Sequence, residues 1–192
     1  MSRKVVKRLS RLNVLLDGDV FMTVERNVLY LKPGGKSTAR LIEAVVERAK
    51  EGGLSSVVVA STKGKTAVKL GEALKGVAQV VSVTEFTYGD DVKKSMKKLK
   101  VTPVERAELP IQDRREMREA LLMFGTGVKA ALEVAAVAAD KGLVQGNIIA
   151  VAGSKGGLDT ALAVRPSPPS DFSNPDPEKR MSVLEIVAMP LE

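Results

Sequence analysis

Three short runs in this 192-residue chain concentrate the residue types that bind oxyanions. Ser61-Thr62-Lys63-Gly64-Lys65-Thr66 follows the apolar Val57-Val58-Val59-Ala60 and precedes a helix-like stretch. Pro33-Gly34-Gly35-Lys36-Ser37-Thr38 and Gly153-Ser154-Lys155-Gly156-Gly157-Leu158-Asp159-Thr160 have the same make-up. Glycine lets the backbone come close to a ligand, hydroxyls and main-chain N–H groups bind anionic oxygens, and Lys adds charge. That is the chemistry a phosphate group needs. A turn with an N-cap accounts for any one run taken alone, but three at one edge of a sheet exceed what turns require. A fourth loop, Thr84-Glu85-Phe86-Thr87-Tyr88, brings two aromatic rings. Phe86 and Tyr88 either stack on a ligand ring or fill core.

None of these runs is a P-loop. That motif needs a Gly five positions before its Gly-Lys pair, where Val59 stands for the run at 61–66 and Tyr30 for the run at 33–38. Gly125-Thr126-Gly127 is no dinucleotide fingerprint either, because it lies within a helical pattern rather than after a strand.

The elements that must position these loops alternate along the chain. Residues 27–31 read as a buried strand, followed by a helix from about Ser37 to Lys50 whose apolar face is Leu41, Ile42, Val45, Val46 and Ala49. The strand at 56–60 precedes a helix from Lys65 to Leu74, and 78–84 is a third strand. Asp90 and Asp91 open a Lys-rich helix, acids at the positive end of its dipole. One long helix is expected from Asp113 to Lys141, with Met117, Leu121, Phe124, Val128, Ala131, Leu132, Ala135 and Ala139 in phase. Gly125 and Gly127 inside it imply close approach by a neighbouring strand or a ligand, since each interior Gly costs about 1 kcal/mol. Strands at 147–153, 160–164 and 182–189 close the chain. The expected fold is α/β: a three-layer α/β/α sandwich around a mostly parallel sheet. Right-handed crossovers then gather the strand-to-helix loops at the carboxyl edge, where such sheets bind ligands.

Composition excludes several chemistries. There is no Cys and no His, hence no disulfide framework, thiol nucleophile or usual zinc set; no metal is expected. Acid–base work would fall to carboxylates, Lys or Tyr. No apolar run approaches the ~18 residues of a membrane span and no signal-peptide core follows the basic N-terminus, so a cytoplasmic protein is expected. The net charge of +7 is concentrated in Arg3, Lys4, Lys7, Arg8 and Arg11, leaving 25 basic residues against 23 acidic ones. Lys93, Lys94, Lys97, Lys98 and Lys100 flank helically spaced Val92, Met96 and Leu99, which reads as a solvated helix face. Nucleic acid is not the expected partner, because the aromatic platforms or modules that read it are missing. Two regions are expected: a basic helix and hairpin over residues 1–26, and the α/β domain over 27–192. The helix is phased on Val5, Leu9, Leu12 and Leu16. The hairpin turns at Asp17-Gly18, a pair suited to positive φ. The apolar and basic N-terminal segment points to a homo-oligomer.

Residues 57–70, 121–144 and 147–167, with the opening at 29–61, resemble the stand-alone archaeal and bacterial relatives of the pyruvate kinase C-terminal domain. The likeness runs over roughly residues 27–192. In pyruvate kinase the loop similar to residues 61–66 holds a phosphate of the allosteric sugar bisphosphate, and the loop similar to 153–160 helps close over it. For the stand-alone relatives the resemblance implies bound flavin mononucleotide, no catalytic barrel and no established activity. It carries over onto Pro33, Gly34 and Thr38, onto Ser61, Thr62, Gly64 and Thr66, and onto Gly153, Gly156, Gly157, Asp159 and Thr160. The relatives carry a longer segment after the third strand, often with His, where this chain passes quickly through residues 84–110.

The expected site is therefore a cradle for a phosphorylated small molecule, flavin mononucleotide first. Lys63, Lys65, Thr84, Phe86, Ser154 and Lys155 complete it. Two other readings stand beside it. An enzyme acting on a phosphorylated metabolite, or using flavin for redox chemistry, would draw on Asp159, Thr160, Lys65 and Lys155. A module binding RNA or an acidic membrane would use the basic N-terminus.

Overall fold

The computed structural model describes residues 12–16, 19–23, 25–154 and 156–191. Strands β1 (Leu12–Leu16) and β2 (Asp19–Thr23) pair antiparallel with Leu16 opposite Asp19. They form the expected hairpin, although Asp17 and Gly18 lie outside the described residues. Leu12 and Leu16 thus belong to a strand, which corrects the helix phased through them. Their backbone groups are taken up by the ladder to β2. Residues 1–11, with the basic cluster, lie outside the described residues.

The main sheet has seven strands: β3 (Leu29–Leu31), β4 (Ser56–Ala60), β5 (Gln79–Val83), β6 (Thr102–Val104), β7 (Ile148–Ala152), β8 (Thr160–Arg165) and β9 (Ser182–Pro190). Their order is β3-β9-β8-β7-β4-β5-β6. Only β8 runs against its neighbours, pairing antiparallel with β7 and β9, so the sheet is mixed but mostly parallel. Side chains alternate across it. In β4, Val57 and Val59 enter one core and Val58 the other, all three fully buried. Burial on both faces is why β4 is apolar throughout.

Helices α1 (Thr38–Lys50), α2 (Lys65–Ala73) and α3 (Asp90–Leu99) cover one face through Leu41, Val45, Leu70 and Met96. Leu41 and Val45 have no exposed surface, and each such burial stabilises the fold by about 1.5–3 kcal/mol. Paired glycines with positive φ, Gly52 and Gly53, turn the chain from α1 towards β4. On α3 the apolar side packs inward, Lys94, Lys97, Lys98 and Lys100 are exposed, and Lys93 pairs with Glu105 at 3.1 Å.

The opposite face is covered by α5 (Thr126–Asp140), preceded by the short α4 (Arg115–Leu122). The single helix expected from Asp113 to Lys141 is therefore two. Gly125 sits at φ 96° and ψ 157°, a conformation only glycine adopts readily, and serves as the N-cap of α5. The break also leaves Phe124 58% exposed rather than on the buried face. Gly127 answers to a strand: a Cβ there would stand 2.0 Å from Oγ1 of Thr160, the first residue of β8. Strand β6 was not foreseen; three residues long and containing Pro103, it has the form of an edge strand. No helix among the described residues is long and apolar enough to cross a membrane.

Candidate functional site

Strands β4 and β5 end side by side, and their loops stay together. The Ser61 N–H donates to Val83 O at 3.1 Å, and Thr84 Oγ1 donates to Thr62 O at 3.3 Å. Thr84 also accepts from the Phe86 N–H at 3.2 Å, which fixes the turn that presents the Phe86 ring. Above these ends lies a cleft of about 630 Å³. Its walls come from the β4 loop (Ser61, Thr62, Lys63, Lys65, Thr66), the β5 loop (Thr84, Glu85, Phe86) and the loop after β7 (Gly153, Gly156, Gly157, Leu158). Leu109 and, from α5, Ala130, Glu133 and Val134 close the side below the opposite face.

The β4 loop is built around Gly64, the left-handed N-cap of α2 at φ 74°. No side chain caps α2 and no acid stands in its first turn. The leading N–H groups of a helix have no intrahelical acceptor, so here they and the positive dipole end remain for an anion. Ser61 Oγ and Thr66 Oγ1 lie 2.7 Å apart as a hydrogen-bonded pair, which orients both hydroxyls at the mouth of the turn. Lys63 and Lys65 are exposed beside it. Gly64 itself does not line the cleft. A Cβ there would meet Val92 Cγ1 at 2.5 Å, Met96 Cε at 2.8 Å and Tyr88 Cδ1 at 3.1 Å. Its first duty is to let α2 pack on α3, so bulk at this position strains the fold as well as the loop.

The other expected residues divide between lining and support. Gly153, Gly156 and Gly157 line the cleft, whereas Ser154, Asp159 and Thr160 hold their loop together. The buried Asp159 carboxylate accepts from the Ser154 N–H at 3.0 Å, Ser154 Oγ at 2.6 Å and Thr160 Oγ1 at 2.9 Å. One of its oxygens also lies 3.2 Å from where a Cβ of Gly127 would stand, near the positive end of α5. Pro33, Gly34 and Thr38 sit behind that loop rather than in the cleft. Thr38 Oγ1 accepts from the Leu158 N–H at 3.0 Å, and a Cβ on Gly157 would fall 2.4 Å from Gly34 C and O. Lys155 lies outside the described residues.

The two aromatic rings part company. Phe86 is 57% exposed on the cleft, as a stacking ring would be. Tyr88 is core: its hydroxyl pairs with buried Ser82 Oγ at 2.7 Å, and its N–H donates to Glu105. Burial pushes its phenol up to about 12, only partly offset by the Ser82 hydrogen bond. The Tyr88 N–H, followed by Lys93, in turn draws Glu105 below the usual carboxylate range.

No protein-family model matches the chain.

The residue not anticipated is Glu133. It is fully buried yet lines the cleft, with Lys129 Nζ 2.8 Å from Oε2. Lys129 also donates to Gln112 Oε1 at 2.8 Å. Desolvation raises the Glu133 carboxyl above its ordinary range, Lys129 opposes the rise and the Glu85 charge adds to it. The signal was present in the sequence: within residues 130–139, otherwise all apolar, Glu133 is the single charge.

Proposed function

We propose that this chain binds a phosphate monoester at the carboxyl edge of its sheet, with flavin mononucleotide the first candidate. The observation that carries the reading is the uncapped N-terminus of α2, with Thr66, Lys63 and Lys65 around it, opening directly onto the cleft. Ser61, Thr62 and Thr66 hydroxyls and the first-turn N–H groups would hold the phosphate, and the two lysines would neutralise it. Phe86, Leu109, Ala130 and Val134 give the same cleft an apolar side suited to a flat ring. Its volume of about 630 Å³ falls within the range of roughly 300–1,000 Å³ usual for small-molecule sites. The arrangement of loops also supports placing the fold with the pyruvate kinase C-terminal domain, as the resemblance in residues 27–192 implies. A bound flavin would itself supply any redox chemistry. Asp159 and Thr160 are committed to holding their loop and are not free for acid–base work.

The test is an absorbance spectrum of the purified protein, then titration of the stripped protein with flavin mononucleotide and riboflavin. The mononucleotide should bind and riboflavin should bind at least tenfold more weakly. Lys63→Gln with Lys65→Gln should weaken mononucleotide binding by about tenfold or more, since charge-assisted contacts are worth about 1.5–3 kcal/mol. Equal affinity for the two flavins would overturn the phosphate cradle.

A further inference from the structure

The cleft has two chemically different ends. Its cationic, amide-rich end belongs to α2 on one face of the sheet, while Glu133 stands on α5, which covers the other. Glu133 lies two turns into α5, about 10 Å along the axis from the helix start. A ligand anchored at α2 and filling the cleft must cross the ends of β4 and β5 towards this carboxylate.

The carboxylate has spare accepting capacity. Its side chain is 1% exposed and touches Lys129 as an ion pair, but neither oxygen has a hydrogen bond of good geometry among the described residues. The Ile111 N–H faces it without reaching that geometry. Buried acceptors left in this condition are costly and rare. The other two residues with such atoms, Arg165 and Ser167, do not line the cleft. The surrounding wall of Leu109, Ala130 and Val134 offers no donor side chain to relieve it.

Resting on the phosphate-binding reading above, we infer that Glu133 selects the ligand by accepting a hydrogen bond from a donor on its non-phosphate body. The ligand class is then a phosphate monoester bearing hydroxyl or ring N–H groups, as opposed to one with a hydrocarbon body. A second phosphate at that end is disfavoured, because Glu85 and Glu133 would face it. The raised titration of Glu133 fits the same picture, since a donor supplied by a ligand favours its charged form.

The experiment begins with the unmodified protein. Ribitol 5-phosphate and pentyl phosphate compete against flavin mononucleotide, which tests hydroxyl donors. Flavin mononucleotide and its N3-methyl derivative are titrated directly, which tests the ring N–H. In one of these pairs the donor-bearing ligand should bind at least tenfold tighter. Glu133→Leu should erase that difference, and Glu133→Gln, which keeps an acceptor, should retain part of it. Inorganic phosphate, competing for the cradle alone, should bind all three proteins within about twofold. Equal binding within both pairs overturns the inference while leaving the phosphate cradle standing. Failure of flavin mononucleotide and of inorganic phosphate to bind the unmodified protein removes the cradle, and this inference with it.

Discussion

Tyr88 shows how one side chain can be read two ways until its surroundings are known. In sequence it stands two residues from Phe86, yet the chain sends Phe86 into the cleft and Tyr88 beneath the β4 loop, 3.1 Å from where a Gly64 side chain would begin. The consequence is measurable. Its phenol lies at about 12 in the fold against about 10 in an unfolded chain. Both states keep the proton below pH 10, and there the fold bears no cost. Above that, the unfolded chain releases its proton first, so stability falls as pH rises from 10 through 12, by about 2–3 kcal/mol in total. The chain has two tyrosines, so Tyr30→Phe leaves Tyr88 as the only phenol for an ultraviolet titration. A midpoint near 12, with parallel loss of stability in urea, is expected. A midpoint near 10 would mean that the ring is not buried.

Elements were legible wherever a single periodicity ruled. The strands at 56–60, 79–83 and 148–152 and the helices at 38–50 and 65–73 fall within one residue of their expected limits. Periodicity misled where two helices share one phase: the apolar spacing from Met117 to Ala139 survives the break at Gly125, so nothing in the pattern marks it. Leu12 and Leu16 misled in the opposite sense, since a spacing of four also fits one face of a strand. The polar turn at residues 61–66 was legible as local chemistry. The place of Glu133 at the cleft was not, because it arises only when α5 packs beside the ends of β4 and β5. Within α5 it forms an i,i+4 pair with Lys129. Lys129→Met would leave that carboxylate alone and should cost about 3 kcal/mol at neutral pH. Adding Glu133→Leu should restore most of it. Because the Glu133 pKa is raised, the loss should shrink as pH falls and the carboxyl takes up a proton; urea unfolding at several pH values checks both. A loss unaffected by pH would mean that Lys129 acts through packing alone.

At the scale of the molecule, segments from both ends of the sequence meet at one edge of the sheet. The turn after β3 and the loop after β7 touch backbone to backbone at Gly34 and Gly157, and the Leu158 N–H is held by Thr38 at the start of α1. Of these partners only Gly157 and Leu158 reach the cleft. Amide exchange in the two segments should therefore be coupled: whatever slows opening of residues 153–158 also slows opening of residues 34–38. Deuterium uptake with and without saturating flavin mononucleotide should show protection at residues 34–38 that no direct contact explains, and Thr38→Val should uncouple it. Protection confined to the cleft lining would mean that the two segments open independently. Peptide-resolved exchange would then draw a footprint wider than the ligand, with an outer margin drawn by the chain's own stitching rather than by what it holds.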